Sequence, residues 1–324
     1  MKTAIITGIT GQDGAYLAEL LLKKNYKVIG ITRNNHISNL EKLAYLGIGD
    51  KVKIMECDMM DMSSVINIIN SIRPDEVYNL AAQSSVGLSF NQPIGTIQYN
   101  IISVLNLLEA LRLIKNDTRF YQASSSEMYG KVESLPVTTV TPMHPLSPYA
   151  ISKASAYWTV VNYRESYGLY ACNGVLFNHE SFLRSEGFFV KKVVGEAVRN
   201  RHNPDWLLKV GNIDVKRDFG YSPKYVEAMW LMLQQETPKD FMICSGKSYL
   251  LRDLIEYVFK QLNIPAEKLV VSQELYRPTD ILDIYGDNSS AVSELEWNYD
   301  YNFYDVLDIL ISEEIKADEK INKG

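Results

Sequence analysis

The sequence predicts an α/β fold with a doubly wound parallel sheet and a smaller C-terminal α/β lobe. Short β-branched runs alternate with helix-patterned segments through the first half, the pattern of parallel strands joined by crossover helices. Three glycines recur at three-residue intervals between the first predicted strand and helix, which is typical of a Rossmann-type sheet. The alternation stops after Asn178. We therefore predict a Rossmann domain at residues 1–178 and a second lobe at 179–324, with some segments returning to the main sheet.

Six runs rich in β-branched and aromatic residues are predicted to be the strands of the main sheet. The breaker Arg73-Pro74-Asp75 separates the fourth strand from the helix before it. The predicted strands are Thr3–Thr7, Lys27–Thr32, Val52–Glu56, Glu76–Leu80, Arg119–Ser124 and Ala171–Phe177.

The helices are predicted from the spacing of apolar residues and from their caps. Apolar residues recur at helical spacing in Gln12–Lys24, and Tyr149–Tyr167 is a long helical segment that ends at Gly168. Ser222, followed by a proline, is a typical N-cap and predicts an apolar helix through Gln235. Two further helices are predicted at Val190–Arg199 and, as a Lys/Glu-rich tail that frays, at Ile311–Gly324.

Composition and charge restrict the class of protein. A hydrophobic fraction of 46% with 22% charged residues is enough to bury a substantial core. The net charge of −6 argues against nucleic acid or an anionic membrane as a partner. Cys57, Cys172 and Cys244 lack metal-ligand spacing and are expected to be reduced thiols. With no signal-peptide pattern and no stretch approaching the length of a membrane span, a cytoplasmic location without a metal site is predicted.

The glycine pattern predicts a dinucleotide site. Gly8, Gly11 and Gly14 lie between a strand and a helix, where glycine permits a tight turn and lets backbone N–H groups approach a pyrophosphate. A carboxylate at the end of the second strand would hold the ribose 2′-OH of NAD. Arg33 stands there instead and is suited to a 2′-phosphate, so NADP is the predicted cofactor, with a surface arginine as the alternative.

A second group of residues predicts acid–base chemistry. Tyr149 and Lys153 are four residues apart and share one face of a predicted helix, so the ammonium is expected to favour the phenolate. Ser125 and Glu127 follow the fifth strand, at the sheet edge where open α/β proteins place their chemistry. The alternative for Glu127 is that it caps the following turn.

These residues belong to motifs that resemble the GDP-mannose 4,6-dehydratase family. TGITGQDG and LFNHES are specific to that family within the short-chain dehydrogenase/reductase class. The resemblance extends from Thr7 to about Trp297. The matching stretches are Thr7–Gly14, Tyr78–Ser84, Arg119–Gly130, Ser147–Lys153, Asn162–Glu165, Asn173–Ser181 and Tyr225–Gln235.

The resemblance implies a reaction and the residues that perform it. Tyr149 takes the O4 proton of a GDP-sugar while hydride passes from C4 to NADP, and Glu127 then removes the C5 proton so that water leaves from C6. The hydride returns to C6. Ser126 stands where dTDP-glucose dehydratases have an aspartate, so Glu127 is expected to act alone as base and acid. Ser125, in place of a family threonine, binds the sugar hydroxyl, and Lys153 binds the nicotinamide ribose.

The resemblance also implies two binding sets. The cofactor set adds His179, for which a buried structural role stays open, and Arg184. In full, the implied cofactor residues are Gly8, Thr10, Gly11, Gln12, Asp13, Gly14, Arg33, Asp58, Met59, Leu80, Ala81, Ala82, Ser84, Tyr99, Lys153, His179 and Arg184. The implied substrate residues are Ser84, Ser125, Glu127, Tyr149, Asn178, Lys192, Arg217 and Arg277.

Some positions depart from the family pattern and leave alternatives open. They are Leu146, Phe182, Asn100–Ser103 and the Arg33–His36 loop. These departures leave the identity of the sugar open, so GDP-N-acetylglucosamine and a GDP-heptose remain alternatives to GDP-mannose. A GDP-sugar 4-reductase or epimerase, which needs no Glu127, and a noncatalytic NADP-binding protein are the rival functions. Because the family loop matching Arg33–Leu40 reaches a neighbouring subunit, a homo-oligomer, tetramer or dimer, is expected.

Overall fold

The structure is a computed structural model that describes residues 1–33, 40–114 and 117–323, with side chains as far as residue 320. Its strands, in chain order, are β1 Thr3–Thr7, β2 Lys27–Thr32, β3 Lys53–Glu56, β4 Glu76–Asn79, β5 Arg119–Ser125, β6 Ala171–Leu176, β7 Asn178–Glu180, β8 Leu208–Val210, β9 Lys216–Tyr221, β10 Phe241–Ile243, β11 Ser248–Leu250 and β12 Leu269–Val271.

The α-helices flank these strands. They are α1 Gln12–Lys23, α2 Glu41–Tyr45, α3 Met62–Ile72, α4 Val86–Asn91, α5 Pro93–Ile114, α6 Pro148–Tyr167, α7 Phe189–Asn200, α8 Ser222–Met232, α9 Leu251–Gln261, α10 Ser289–Leu295 and α11 Phe303–Lys323. Short 3-10 helices lie at Ser126–Met128, Ala266–Lys268 and Gln273–Leu275.

Across the described residues, the main sheet has seven parallel strands in the order β10–β6–β5–β4–β1–β2–β3. Helices cover both faces: Ile5 of β1 packs in the core on one face and Ile6 in the core on the other. The six predicted strands coincide with β1 to β6 within a residue at each end, because runs rich in β-branched and aromatic residues favour strands. The predicted doubly wound Rossmann-type sheet is confirmed.

The second half of the chain contributes both a separate core and a strand of the main sheet. β9 lies between β7 and β11, β8 pairs with β12, and α7, α9 and α11 pack around these small sheets. β10 pairs with β6 in the main sheet. Asp240, the residue before β10, forms an ion pair with Arg164 of α6 at 2.7 Å, which holds the start of β10 beside β6. The division into domains at residues 1–178 and 179–324 stays a prediction.

Three predictions about helices are corrected. The residue before α8 is Tyr221, and Ser222 lies inside the helix with its hydroxyl donating to Asp13 at 2.8 Å, so it is not the N-cap; the helix ends at Met232, not Gln235. The tail from Ile311 is the second half of α11. Its Glu314 is buried against Lys191 of α7, so the helix is packed at this turn and does not fray there; Gly324 lies outside the described residues.

The third correction concerns α5, which is long and apolar enough to cross a membrane by length and composition. The expectation that no stretch approaches that length is therefore wrong. Val104, Leu107 and Leu111 of this helix are buried in the core on one face of the sheet, and apolar core helices of large sheets pass the same test.

Candidate active site

A cleft of about 370 Å³ opens at the carboxyl ends of the main-sheet strands. From β1 the chain builds the sheet first towards β2 and β3 on one side and then towards β4 and β5 on the other. Open α/β sheets bind ligands where the strand order reverses in this way. Of the predicted site residues, the structure brings together along the cleft Asp13, Leu80, Ala82, Ser84, Ser125, Glu127, Tyr149, Lys153, Asn178, His179, Arg184, Arg217 and Arg277.

The glycine-rich loop is fixed by close backbone approaches. Gly8 has φ +70°, and a Cβ there would lie 2.8 Å from the backbone nitrogen of Ala81, so only glycine fits. A Cβ on Gly14 would lie 2.4 Å from the carbonyl oxygen of Gly8, which brings α1 close to β1. The Thr7 hydroxyl accepts hydrogen bonds from the N–H groups of Leu80 and Ala81, both at 3.1 Å. The loop after β4 is thereby held against the glycine loop.

Asp13 joins the glycine loop to the second lobe. Its carboxylate lies 2.9 Å from Nε2 of His179 and accepts the hydroxyl of Ser222 at 2.8 Å. Burial opposes the charge of Asp13, but His179, Arg184 and Ser222 outweigh burial and lower its pKa. The other imidazole nitrogen of His179 lies 2.7 Å from the carbonyl of Phe177, and its ring stacks on Tyr225. His179 therefore lines the cleft and is also fully bonded in the structure.

The neighbouring Gln12 is likewise bonded to the second lobe. Its amide donates to the carbonyl of His179 at 2.9 Å and its oxygen accepts the hydroxyl of Ser181 at 2.8 Å. Gln12 does not line the cleft. The same is true of Gly8, Thr10, Gly11, Gly14, Arg33, Asp58, Met59, Ala81, Tyr99 and Lys192.

Arg33, Asp58 and Tyr99 nevertheless form one cluster next to the end of β2. The guanidinium of Arg33 is exposed and lies 5.4 Å from the ring centre of Tyr99. Burial raises the pKa of Tyr99. Because Arg33 and Asp58 lie close to the phenol, Arg33 lowers that pKa and Asp58 raises it. The carbonyl of Met59 accepts from the amide of Asn106. The rest of the Arg33–His36 loop lies outside the described residues.

Ser125 and Glu127 are presented where β5 ends. The Ser125 hydroxyl accepts the backbone N–H of Glu127 at 3.3 Å and so caps the 3-10 helix that follows. The Glu127 carboxylate is half-buried, and within the described part of the chain it forms no hydrogen bond or ion pair. The capping alternative for Glu127 is not observed, because Ser125 performs that role. The carboxylate is available to a ligand.

Tyr149 and Lys153 lie on the first turns of α6, which Ser147 caps and Pro148 begins. Burial raises the pKa of Tyr149 to about 12; Ser125 lowers it by a hydrogen bond, Glu127 raises it and Arg184 lowers it. Lys153 donates to the carbonyl of Ala123 at 2.7 Å, and burial lowers its pKa to about 8. Burial dominates the pKa of the phenol and the Lys153 ammonium donates to a carbonyl, so the lysine-stabilised phenolate stays a prediction.

Cations line the far end of the cleft. Arg217 donates to Asp280 at 2.6 Å and to the carbonyl of Ile281 at 2.5 Å, so its charge is already engaged. Arg277 is exposed on the segment that carries Asp280. Lys192 donates to the carbonyl of Lys209 at 2.7 Å and does not line the cleft, so the structure does not place it with the other predicted substrate residues.

Several cleft residues escaped the sequence analysis. Glu180 lies in the matched motif LFNHES, so the motif itself contained the signal. It is 2% exposed, one of its oxygens has no hydrogen bond, and it lies 3.6 Å from Nε of Arg184. Others come from segments without a motif: Val86, Gly87, Phe188, Asn212, Leu275 and Asp280. Within the described residues, no group of three or more His, Cys, Asp or Glu side chains is placed to hold a metal ion.

Solved structures share the fold of this chain. A UDP-glucose 4-epimerase from Thermotoga maritima superimposes with a TM-score of 0.87 at 22% identity, covering 97% of this chain and 99% of that one. A dTDP-glucose 4,6-dehydratase from Bacillus anthracis, in complex with NAD, gives 0.86 at 18% identity and covers 98% of each chain. These likenesses show the same Rossmann-type fold that the order of the main sheet defines.

Sequence comparison then gives the family. The family model described as GDP-mannose 4,6 dehydratase matches residues 5–310. A GDP-mannose 4,6 dehydratase of Drosophila melanogaster is 40% identical over 98% of this chain and 86% of its own length. A GDP-mannose 4,6-dehydratase of Vibrio cholerae is 39% identical over 98% of this chain and 95% of its own. The chain belongs to the GDP-mannose 4,6-dehydratase family, and the resemblance inferred from the motifs is confirmed.

Proposed function

We propose that the chain is a GDP-sugar 4,6-dehydratase, a hydro-lyase that converts GDP-mannose or a related GDP-sugar to the GDP-4-keto-6-deoxy sugar and water. Membership of the family supports this reaction. The observation that carries the proposal is the carboxylate of Glu127, which has no bonding partner within the described residues and raises the pKa of the Tyr149 phenol beside it. A reductase or epimerase would have no use for that carboxylate.

The chain's own residues supply the proton transfers. Tyr149 takes the proton of the sugar O4, and the adjacent hydroxyl of Ser125 hydrogen-bonds the same oxygen. A nicotinamide cofactor, when bound, supplies the reversible removal of hydride from C4 and its return at C6. The 4-keto group acidifies the C5 proton. Glu127 removes that proton and delivers it to the hydroxyl that leaves C6 as water, so one carboxylate acts first as base and then as acid. When hydride has returned to C6, Glu127 passes a solvent proton to C5, and Tyr149 releases the O4 proton to solvent.

The proposed cofactor is NADP. The cleft volume is in the range of ligand pockets, and the glycine loop with the N-terminus of α1 suits a pyrophosphate. Nε of Arg184 is buried without a hydrogen bond, which suits an anionic ligand beside it. The exposed guanidinium of Arg33 at the end of β2 supports NADP over NAD, since no carboxylate stands there. Lys153 holds the nicotinamide ribose in this proposal.

The nucleotide sugar is proposed to lie between Glu127 and the Arg217–Arg277 end of the cleft. Arg277 is exposed and suits a diphosphate, whereas Arg217 shares its charge with Asp280. GDP-mannose is the first candidate because the relatives carry that name. GDP-N-acetylglucosamine and a GDP-heptose are the alternatives to test beside it.

We also propose a cytoplasmic homo-oligomer, dimer or tetramer. The described surface of α5 and α6 exposes large apolar side chains that a second copy would cover, and the described cysteines are free and buried. The exposed apolar residues of these two helices are Ile94, Leu113, Ile151, Trp158 and Tyr167.

Mass spectrometry tests the reaction and its substrate together. Each of the three GDP-sugars is incubated with the protein and a catalytic amount of NADP. The proposal predicts that one of them loses one water without net consumption of NADP. If all three remain intact while NADP binds, the dehydratase assignment fails. If the sugar is reduced or epimerised at C4 without water loss, the rival function replaces it.

A further inference from the structure

Lys42 of α2 lies outside the predicted site and reaches the glycine-rich loop. Its Nζ donates to the carbonyl oxygen of Thr10 at 3.1 Å. Thr10 lies between Gly8 and Gly11, so the ammonium sits on the backbone of the turn that joins β1 to α1. A lone lysine in a short helix forms no motif, so a role for Lys42 could not be predicted from the sequence alone.

The ammonium of Lys42 has N–H groups with no acceptor among the described residues. A lysine carries three N–H donors. Within the described residues, Lys42 uses one of them, on Thr10, and forms no ion pair. A carbonyl oxygen is neutral, so this hydrogen bond orients the ammonium without cancelling its charge. The side chain is half-buried, and that burial makes the charge more costly than on a free surface.

The charged groups around Lys42 are of both signs. Burial lowers its pKa, the carboxylates of Asp13 and Glu41 raise it, and Arg184 and Lys191 lower it. Asp13 is already bonded to His179 and Ser222. Arg184 lies 3.6 Å from the carboxylate of Glu180, and Lys191 pairs with Glu314. Of these three cations, Lys42 is the one that forms no ion pair among the described residues, so its charge is available to an anion.

We propose that Lys42 holds a phosphate group of the dinucleotide at the glycine-rich loop, an inference that rests on the proposed use of NADP. Lysine binds phosphate as a point charge, and the N-terminus of α1 next to Thr10 favours the same anion. The dinucleotide offers two sources of that chemistry, the pyrophosphate and the 2′-phosphate. A comparison of NADPH binding with NADH binding distinguishes the two sources.

The experiment measures dissociation constants for NADPH and NADH by nucleotide fluorescence on wild type, Lys42→Met, Lys42→Arg and the control Lys51→Met. Lys51 is exposed and has no side-chain partner among the described residues. Lys42→Met is expected to weaken NADPH binding roughly tenfold, and Lys42→Arg and Lys51→Met to retain most of it. The salt dependence of NADPH binding should also become shallower in Lys42→Met, which a purely structural role would not cause.

Each outcome has one meaning. An equal loss for NADPH and NADH supports contact with the pyrophosphate, and a loss for NADPH alone supports contact with the 2′-phosphate. If folded Lys42→Met binds both nucleotides as wild type does, the proposal for Lys42 is overturned and the proposed function stands. If the wild-type protein binds neither nucleotide, the proposed function fails, and the proposal for Lys42 fails with it.

Discussion

The imidazole of His179 lies 2.9 Å from the carboxylate of Asp13, which connects the start of β7 to the first turn of α1. Ser222 at the start of α8 holds the other oxygen of the same carboxylate. One acidic side chain of the cofactor loop is thus the meeting point of three elements. The geometry of the glycine loop therefore depends on the second lobe.

This arrangement predicts acid sensitivity. The pKa of Asp13 is lower in the folded protein than the ordinary value of an aspartate. Its contribution to stability is fully present above that value and is lost as pH falls through the lower folded pKa. In Asp13→Asn the free energy of unfolding should fall less steeply in acid, measured by urea unfolding between pH 7 and about pH 3. An unchanged pH dependence would contradict the charge assigned to Asp13.

Ser222→Ala removes one partner of Asp13 and leaves the other. The loss should lower the free energy of unfolding by about 1–3 kcal/mol, because the hydrogen bond is to a buried charged group. Urea unfolding measures the change, and Ser293→Ala, whose hydroxyl donates to the carbonyl of Ser289 on an exposed helix, is the matched control. Equal effects of the two substitutions would show that the Asp13–Ser222 bond adds nothing specific.

Ser125 is expected to set the pH profile of Tyr149. Its hydrogen bond lowers a phenol pKa that burial has raised to about 12. Removing the hydroxyl in Ser125→Ala raises that pKa further, so the limb of kcat/KM that rises with pH should move to higher pH. Ser125→Thr keeps the hydroxyl and should keep the profile. A profile that Ser125→Ala leaves in place would mean that Tyr149 is not the titrating base.

Lys191 and Glu314 form a buried ion pair between α7 and α11. Removing one partner in Lys191→Met leaves a buried carboxylate unpaired and should cost about 3–5 kcal/mol of unfolding free energy. The double variant Lys191→Met with Glu314→Met should recover most of that loss, because an apolar pair of similar volume fills the same space. Thermal and urea unfolding of both variants measure the coupling. Additive losses would contradict a direct pair.

Glu127→Gln keeps the shape of the proposed C5 base and removes its basicity. Dehydration should slow by about 10²–10⁴-fold, the usual contribution of a positioned acid or base. Binding of GDP and of NADPH should stay as in wild type, since Glu127 bonds to neither in this account. Glu133→Gln is the control, because Glu133 is exposed on a nearby loop. A variant that dehydrates at the wild-type rate would remove Glu127 from the mechanism.

The sequence predicted well whatever depends on local pattern. β1 and β2 match the prediction at both ends because a strand buried on both faces is apolar throughout. The turn at Gly8 was predictable from the spacing of the three glycines. The structure gives the reason that glycine is needed there, which is the close approach of Ala81. In the catalytic set, the helix predicted at Tyr149–Tyr167 is observed at Pro148–Tyr167, whereas its cap Ser147 was not predicted.

Long-range contacts were not predictable from local pattern. Ser222 has the residue type of a cap, but its hydroxyl bonds Asp13, a partner 209 residues away. Asp280 engages Arg217 from a segment without a motif. The pKa of Tyr149 follows burial and four neighbours, whereas the spacing to Lys153 suggested the opposite direction. Such effects depend on which segments the fold brings together.

The most direct test of the central claim follows isotopes through the reaction. GDP-mannose labelled with deuterium at C4, or whichever GDP-sugar loses water, is converted in ordinary water, and unlabelled substrate is converted in deuterium oxide. For a 4,6-dehydratase, the C4 label of the first experiment is expected at C6 of the product. In the second experiment, one solvent deuterium is expected to enter at C5 through Glu127. Recovery of the label at C4 of an epimerised sugar, or its loss to the cofactor pool, would contradict a 4,6-dehydratase.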